Sequence, residues 1–416
     1  MRMFSNDRIR ILIVLLCMLS SPLLQAAPGR TGAQTSLVRF LQSVLESNPK
    51  VLKAKAAVDE AKAIARDRGL PIYNPALELE HERTDIETNS IGVTQAIDWR
   101  GKRRTRAKIG NLKLQVAKLE YQLVRLQTGV ALLVALTNYQ KAAALYKLAQ
   151  KRLRIMTQLK NLAAKRFRAG DLSPVERDLT TLAFVDAQTK KNQANINLVH
   201  AEQQLVNVVG SKLTQWPAVK HTQIPKIDGS VYTSDESLYS LPMIRISQLK
   251  IQVAQNEIKL EKKRRSGDPT IGIKTGEEGR EKLTGFTFSM PLNVRNTGKA
   301  KVQAANALYI QAKRQGQQEM RNARSSIRSS EQGYALTLKA WKVWRRTGKT
   351  SLARRYHQLQ RLWQARELST TDYLIQVKQT LETESSGIEL KNRLIIAWTH
   401  WLKATAGLER WLQSAH

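Results

Sequence analysis

The sequence predicts a mainly α-helical chain with a β-barrel portion suited to a membrane, built from two tandem structural repeats. Three features predict it. Helical stretches longer than about 60 residues occur twice, and four short segments, in two pairs, alternate apolar with polar residues. The order of all these elements recurs with a period of roughly 195 residues. So long a period marks a duplicated unit; solenoid repeats run to about 20 to 50 residues.

The first residues carry Arg2, Arg8 and Arg10, then an apolar run from Ile11 to Met18, then small residues ending at Ala26 and Ala27. This is the layout of a secretory signal, assigned to residues 1–26. The run is shorter than the roughly 20 residues that cross a bilayer as a helix, and no longer apolar run follows, so any membrane span is expected to be made of strands. Cys17 is the only cysteine and falls inside the signal, which leaves no thiol for disulfides, metal binding or nucleophilic catalysis in the remainder. Val14, Leu15 and Leu16 ahead of it lack the small residue that precedes a lipid-bearing cysteine.

Repeat 1 spans 27–212, a linker 213–234, and repeat 2 235–416. In repeat 1, Asn48-Pro49 opens a helix that ends near Pro71, and strands follow at Ala76 to Arg83 and Ser90 to Asp98. In repeat 2, Leu241-Pro242 opens the matching helix, which ends near Gly267, with strands at Pro269 to Thr275 and Leu283 to Pro291. Gly101-Lys102 and Gly298-Lys299 then start the two long helical stretches. These stop at Ala169-Gly170-Asp171-Leu172-Ser173 and Ala365-Arg366-Glu367-Leu368-Ser369, and further helices run to about Val209 and about Leu408. At about 1.5 Å per residue a 60-residue helix reaches roughly 90 Å, far beyond globular lengths. In the first of them Ile109, Leu112, Val116, Leu119, Leu123, Leu126, Val130 and Leu133 alternate spacings of three and four, a coiled-coil seam. Its counterpart in repeat 2 is polar from Gln315 to Glu331, and is assigned as helix by its place in the repeat.

The strand segments alternate cleanly: Leu77 and Leu79 with Glu78 and Glu80, Ile91 and Val93 with Gly92 and Thr94, Ile271 and Ile273 with Gly272 and Lys274, Phe286 and Phe288 with Thr287 and Ser289. A soluble sandwich shows the same alternation. Strands of about this length also fit a bilayer, where lipid-facing and lumen-facing residues alternate. Four strands cannot close around a pore, so several copies of the chain are expected to share one barrel.

With 68 Lys plus Arg against 34 Asp plus Glu, the formal charge is +34. The basic residues are spread through helical stretches among leucines, and only 6% of residues are aromatic, which fits solvated helix faces better than a nucleic-acid surface. A basic coiled-coil protein that binds anionic membranes or nucleic acid remains the alternative. The histidines His81, His200, His221, His357, His400 and His416 show no metal-ligand spacing, and neither a phosphate loop nor a nucleophile motif is present. No cofactor and no enzymatic activity are expected.

Asn48-Pro49, Trp99-Arg100-Gly101-Lys102-Arg103 and Ala169-Gly170-Asp171-Leu172-Ser173-Pro174-Val175-Glu176, in this order and largely in duplicate, resemble the TolC-like outer-membrane efflux proteins, more closely the heavy-metal branch typified by CzcC and CusC. The resemblance implies a homotrimer with a shared 12-stranded outer-membrane barrel set in lipid and a coiled-coil α-barrel tunnel extending into the periplasm. It implies partnership with a periplasmic adaptor protein and an inner-membrane efflux pump, a passive conduit role without nucleic acid, and heavy-metal cations as cargo. Carried over by position, the adaptor-docking tip is Gly170, Asp171, Leu172 and Ser173 with Glu367, Leu368 and Ser369, and the channel constriction is Glu176 and Asp372. Helix capping alone also explains these residue types. Arg366 stands where the family usually has glycine.

Overall fold

The computed structural model describes residues 32–414 except 221–223, 225–226 and 228–233. The signal segment with Cys17 and much of the linker fall outside the described residues. The described residues open with helix α1, Gly32–Ser47, ahead of the first element that the repeat pattern predicts. Leu37, Val38, Leu41, Val44 and Leu45 make one face of it and are buried. Asn48 then caps α2, Pro49–Asp67: its side chain accepts from the Lys50 amide at 2.9 Å, and proline at the first helical position supplies the preset φ.

Helix α3, Lys102–Arg168, is 67 residues long, about 100 Å at the α-helical rise. Seven of the eight seam residues are buried and Leu123 is half-buried. One window of α3 is apolar enough to cross a membrane by length and composition, which departs from the expectation that no such run follows the signal; half of that window is buried inside the fold. Val130, Leu132, Leu133 and Leu136 there pack in the main core with α1 and the carboxy-terminal tryptophans. Helix α4, Pro174–Val209, returns antiparallel to α3 and ends at Gly210 in the left-handed conformation.

Repeat 2 starts with the short α5, Asp235–Tyr239, and then α6, Pro242–Arg264, whose N-cap Leu241 makes no side-chain bond. The polar stretch from Gln315 is helical, inside α7, Lys299–Val343. The second long stretch is not continuous, however. A π-helical turn at Trp344–Gly348 separates α7 from α8, Lys349–Gln364. The Trp344 ring stacks on Trp341 at 5.3 Å and fills the notch left by the missing side chain of Gly387, 43 positions on, a pairing that no local pattern reveals. Helix α9 is Thr370–Ala404, four residues shorter than expected. Ala406 takes a positive φ of 50°, Gly407 bonds back to Leu402 at 2.8 Å, and α10, Leu408–Ser414, drops Leu408 against Gly129 of α3.

The strands are β1, Ala76–Arg83, β2, Glu87–Ala96, β3, Thr270–Glu278, and β4, Glu281–Ser289, in one antiparallel sheet of order β1-β2-β3-β4. Strands β2 to β4 reach closer to their hairpin turns than the apolar alternation suggests, because ladder pairs continue through charged residues such as Glu82 with Thr88 and Glu277 with Lys282. Next to the sheet the helices follow the same order, α2, α3, α6, α7, each touching the next. Farther along, α4, α3, α9 and then α7 with α8 form the continuing layer. The two interhelix turns close the far end.

Candidate functional site

Three places combine unusual exposure or unusual polar burial: the sheet, the junction of sheet and helices, and the two turns. On the sheet, register lines up Leu77, Val93, Ile273 and Phe286 in one row and Leu79 with Ile91 in the next. Nothing covers them. Leu79 is 75% exposed, Phe286 71% and Ile273 69%. Burying such a side chain is worth about 1.5–3 kcal/mol, so an uncovered apolar band of this size is suited to an apolar surrounding. The opposite face carries Glu78, Glu80 and Glu82 of β1 and Lys274 of β3, which pairs with Glu80 at 2.6 Å. Gly92, Gly272, Gly276 and Gly285 all fall on this polar face, and a Cβ on Gly92 would stand 2.9 Å from that of Lys274. Close approach of the strands there makes the polar side the crowded one. Both outer strands, β1 and β4, have an unpaired edge within the sheet.

At the junction, Lys102 at the start of α3 forms an ion pair of 3.0 Å with Asp268, just ahead of β3; the two side chains are 9% and 4% exposed. Lys102 also donates to the Ser266 carbonyl at 3.1 Å, and the Tyr73 hydroxyl donates to Asp268 at 2.5 Å. That bond to a carboxylate, with burial and the charges of Asp268 and Asp98, pushes Tyr73 up to about 12. The rest of the Trp99 to Arg103 motif acts as a clamp. Asp98 accepts from the amides of Lys102 and Arg103, both at 2.7 Å, Trp99 donates to the Gly267 carbonyl at 2.9 Å, and Arg103 donates to the Gly69 carbonyl at 2.7 Å. Lys263 of α6 reaches the Gly101 carbonyl at 2.9 Å. The motif thus locks both repeats to the base of the sheet. The family resemblance singles out Trp99 through Arg103, whereas their partners Tyr73 and Asp268 lie outside its motifs. The matching dipeptides Asn74-Pro75 and Asp268-Pro269, each just before a strand, were the available signal.

The two turns are built alike. In the first, the amides of Ala169, Gly170 and Asp171 bond back to Lys165, Phe167 and Arg166 at 3.2, 3.1 and 2.9 Å. In the second, Ala365, Arg366 and Glu367 bond back to Arg361, Trp363 and Leu362 at 2.9, 3.2 and 2.9 Å. This is the Schellman closure, which needs a left-handed residue in the middle. Gly170 provides it at φ 79° and Arg366 at φ 65°. The arginine therefore keeps the glycine geometry, at the strain of a side chain in that region. Its guanidinium pairs with Asp171 of the other turn, and Arg166 bonds the Gln364 carbonyl at 3.0 Å while lying over the Trp363 ring at 4.8 Å.

Ser173 and Ser369 cap α4 and α9, accepting from the amides of Glu176 and Asp372 at 3.2 and 3.1 Å. Glu176 answers Ser173, and Asp372 accepts from the Ser369 hydroxyl at 2.7 Å. Burial raises the Glu176 pKa, but hydrogen bonds from Ser173 and from Thr370 of the second turn outweigh it and hold the carboxyl below the usual range. Gly170, Asp171, Ser173, Glu367, Ser369 and Asp372 are exposed, and Leu172, Leu368 and Glu176 are half-buried. The nine residues named from the sequence thus gather at one end of the chain. Among the described residues, no group of three or more His, Cys, Asp or Glu side chains is placed to hold a metal ion.

Residues 40–211 match the family model of outer membrane efflux proteins. No curated protein sequence matches the chain. In structure it is similar to CusC, described as undergoing conformational changes on folding and transmembrane channel formation (TM-score 0.75, 16% identity, 90% of this chain and 92% of that one). It is similar also to the CmeC outer membrane channel of Campylobacter jejuni (0.75, 15%, 90% and 86%) and to the outer membrane protein VceC of Vibrio cholerae (0.74, 13%, 89% and 96%). The first repeat therefore carries the sequence signature of the outer membrane efflux protein family, and nine-tenths of the chain takes the mainly helical, small-sheet fold of outer-membrane channels.

Proposed function

We propose that the chain is the outer-membrane channel of an efflux system, a homotrimer that passes substrates delivered by an inner-membrane pump and a periplasmic adaptor. The observation that carries this is the sheet: one face with an uncovered apolar band of Leu77, Leu79, Ile91, Val93, Ile273, Phe286 and Phe288, the other polar, crowded and acidic, at the end of a layer of helices the longest of which reaches about 100 Å. Three copies supply twelve strands, with the apolar faces in lipid and the glutamates of β1 toward the lumen. The helices continue the wall into the periplasm as a tunnel.

The turns at its far end are the adaptor-docking tip, through Gly170, Asp171, Leu172 and Ser173 and through Glu367, Leu368 and Ser369. Asp372 and Glu176, one turn into their helices, are the constriction. Metal cations are the proposed cargo, supported by the acidic polar face of the sheet and by the likeness to CusC. The alternative of a basic coil on anionic membranes gives no role to the uncovered apolar face.

Cell fractionation and gel electrophoresis of unheated samples test the assembly: a heat-labile trimer in the outer membrane is expected, and a monomer in the periplasm overturns the proposal. In planar bilayers the purified channel is expected to prefer cations, and Asp372→Asn to raise conductance. An anion-selective pore would remove the metal-cation cargo.

A further inference from the structure

Positive charge gathers where the helices meet the sheet. Residues 97–108 hold six Lys or Arg against Asp98 alone, residues 262–268 four against Asp268 alone, and residues 291–301 three with no acid. Both acids are already engaged, Asp98 by the amides that start α3 and Asp268 by Lys102 and Tyr73. Helix polarity does not account for the pattern. Lys262, Lys263 and Arg264 in the last turn of α6 suit the negative end of its dipole. Helices α3 and α7, however, begin here with Lys102, Arg103 and Arg104 and with Lys299 and Lys301, and neither has an acidic residue in its first turn. At the far end of the chain α4 and α9 carry Glu176 and Asp372 there, as the dipole favours. Cations at two helix N-termini, where they are unfavourable, fit an anion supplied from outside the chain.

The same region forms a cavity. The end of α6, the start of α3 and the segment leading into α7 surround an open space of about 490 Å³, lined by the cations Arg100, Lys262, Lys263 and Arg265 and by neutral polar residues, with no carboxylate. Its walls are fixed by hydrogen bonds. Asn293 donates to the Arg265 carbonyl at 2.7 Å, Arg265 Nε to the Thr297 carbonyl at 3.0 Å, and Lys263 to the Gly101 carbonyl and the Thr105 hydroxyl at 2.9 and 2.8 Å. Arg100, Lys262 and Arg265 are exposed, and Glu261, the acid next to Lys262 in sequence, pairs with Arg264 instead at 2.6 Å. The rim is apolar. Asn293 lies between Leu292 and Val294, 77% and 78% exposed, and Arg100 lies 5.1 Å over the ring of Trp99, itself 52% exposed. A tryptophan between charged and apolar surface suits a membrane–water boundary. The ligand that matches has an anionic head and an apolar body.

We propose that this cavity binds the phosphate of an anionic phospholipid, with Arg100, Lys262 and Arg265 on the head group and the acyl chains along Leu292, Val294 and the apolar band of the sheet. The inference rests on the outer-membrane reading, which sets the junction of sheet and helices at the periplasmic surface of the bilayer, and adds to it a lipid class and the residues that select it.

Tryptophan quenching tests it on the purified full chain in phosphatidylcholine vesicles, with brominated phosphatidylglycerol or brominated phosphatidylcholine as the probe. The signal of Trp99 is the difference between the parent and Trp99→Phe. Brominated phosphatidylglycerol is expected to quench that signal with at least about fivefold higher apparent affinity. Each of Arg100→Gln, Lys262→Gln and Arg265→Gln should lower this preference, and the triple variant should lose it while brominated phosphatidylcholine still quenches, which shows that the variant is inserted. Inorganic phosphate in excess should leave the preference unchanged; if it abolishes it, the cavity takes the free anion and the lipid assignment falls. Equal quenching of the parent by both lipids would overturn the site and leave the channel reading standing. Trp99 quenched by neither lipid would put the junction outside the bilayer and overturn both.

Discussion

Arg366→Gly separates what the backbone does at the second turn from what the side chain does. Arg366 occupies φ 65°, where an L side chain costs roughly 1–2 kcal/mol relative to glycine. Glycine gives back about 0.4–1 kcal/mol through its freer unfolded chain. The ion pair to Asp171 is also lost, but at 68% and 38% exposure solvent screens it to about 0.2–1 kcal/mol. The sum lies within about 1 kcal/mol of zero, whereas Arg366→Ala keeps the strain and loses the pair, so it is destabilising throughout. Hydrogen exchange followed by mass spectrometry on the segments around 166–173 and 363–372 reads local opening directly. For Arg366→Gly the second turn should exchange within about fivefold of the parent, and the salt dependence of the first turn should vanish. Much faster exchange at the Glu367 amide would refute the reasoning, since the arginine side chain rather than the left-handed closure would then be holding the turn.

Lys102→Ala leaves Asp268 buried beside one hydroxyl and is expected to destabilise the junction by about 3–5 kcal/mol, measured as a lowered melting temperature of the purified protein. Tyr73 has its folded pKa raised above the ordinary 10 to about 12, so its contribution is whole below pH 10 and lost as pH rises from 10 through about 12. Alkaline titration of exchange around 98–105 should follow that window, and Tyr73→Phe should abolish it. Gly387→Ala gains about 1 kcal/mol of helix propensity but drives a methyl into Trp344, costing about 1–3 kcal/mol or more, so melting should fall. Pairing it with Trp344→Leu should recover the loss, and a stabilised single variant would contradict the packing.

The elements that were legible in the sequence are those whose cause is local. Asn48-Pro49 announces a cap, the three-four spacing from Ile109 to Leu133 a buried seam, and Leu77-Glu78-Leu79-Glu80 a two-faced strand. Helix α1 was equally legible, since Leu37, Leu41, Val44 and Leu45 keep helical spacing, but it lies outside the duplicated pattern. What stayed hidden depends on distant partners. The π-helical turn needs Gly387 opposite Trp344, the end of α9 needs Gly129 to receive Leu408, and the clamp at Lys102 needs Asp268. Arg366 breaks the repeat in residue type but not in geometry; the hydrogen bonds of both turns follow the same pattern. Of the proposed site, the tip residues were countable from the turn motif, while their cross-links, Arg366 to Asp171 and Arg166 to Gln364, were not.

The net charge illustrates how a global quantity misleads about a local path. A balance of +34 argues against a cation conduit only if the basic residues lie near the moving ion. Residues 76–96 and 270–289, the two hairpins, hold eight carboxylates and four Lys or Arg, so the sheet is acidic in a basic chain. On its polar face Lys274 neutralises Glu80, while Glu78 and Glu82 of the same strand have no cation of their own closer than that shared lysine among the described ion pairs. Screening confines an exposed charge to about 8–10 Å, less than a tenth of the length of α3. On the proposed lumen reading, lysines and arginines out on the helices lie beyond screening range of an ion between the strands, and the glutamates of β1, three to a copy on every second residue, set the field there. It follows that Glu78→Gln with Glu82→Gln should weaken cation preference in a bilayer recording, whereas neutralising an equal number of helix lysines such as Lys190 and Lys191 should leave it unchanged.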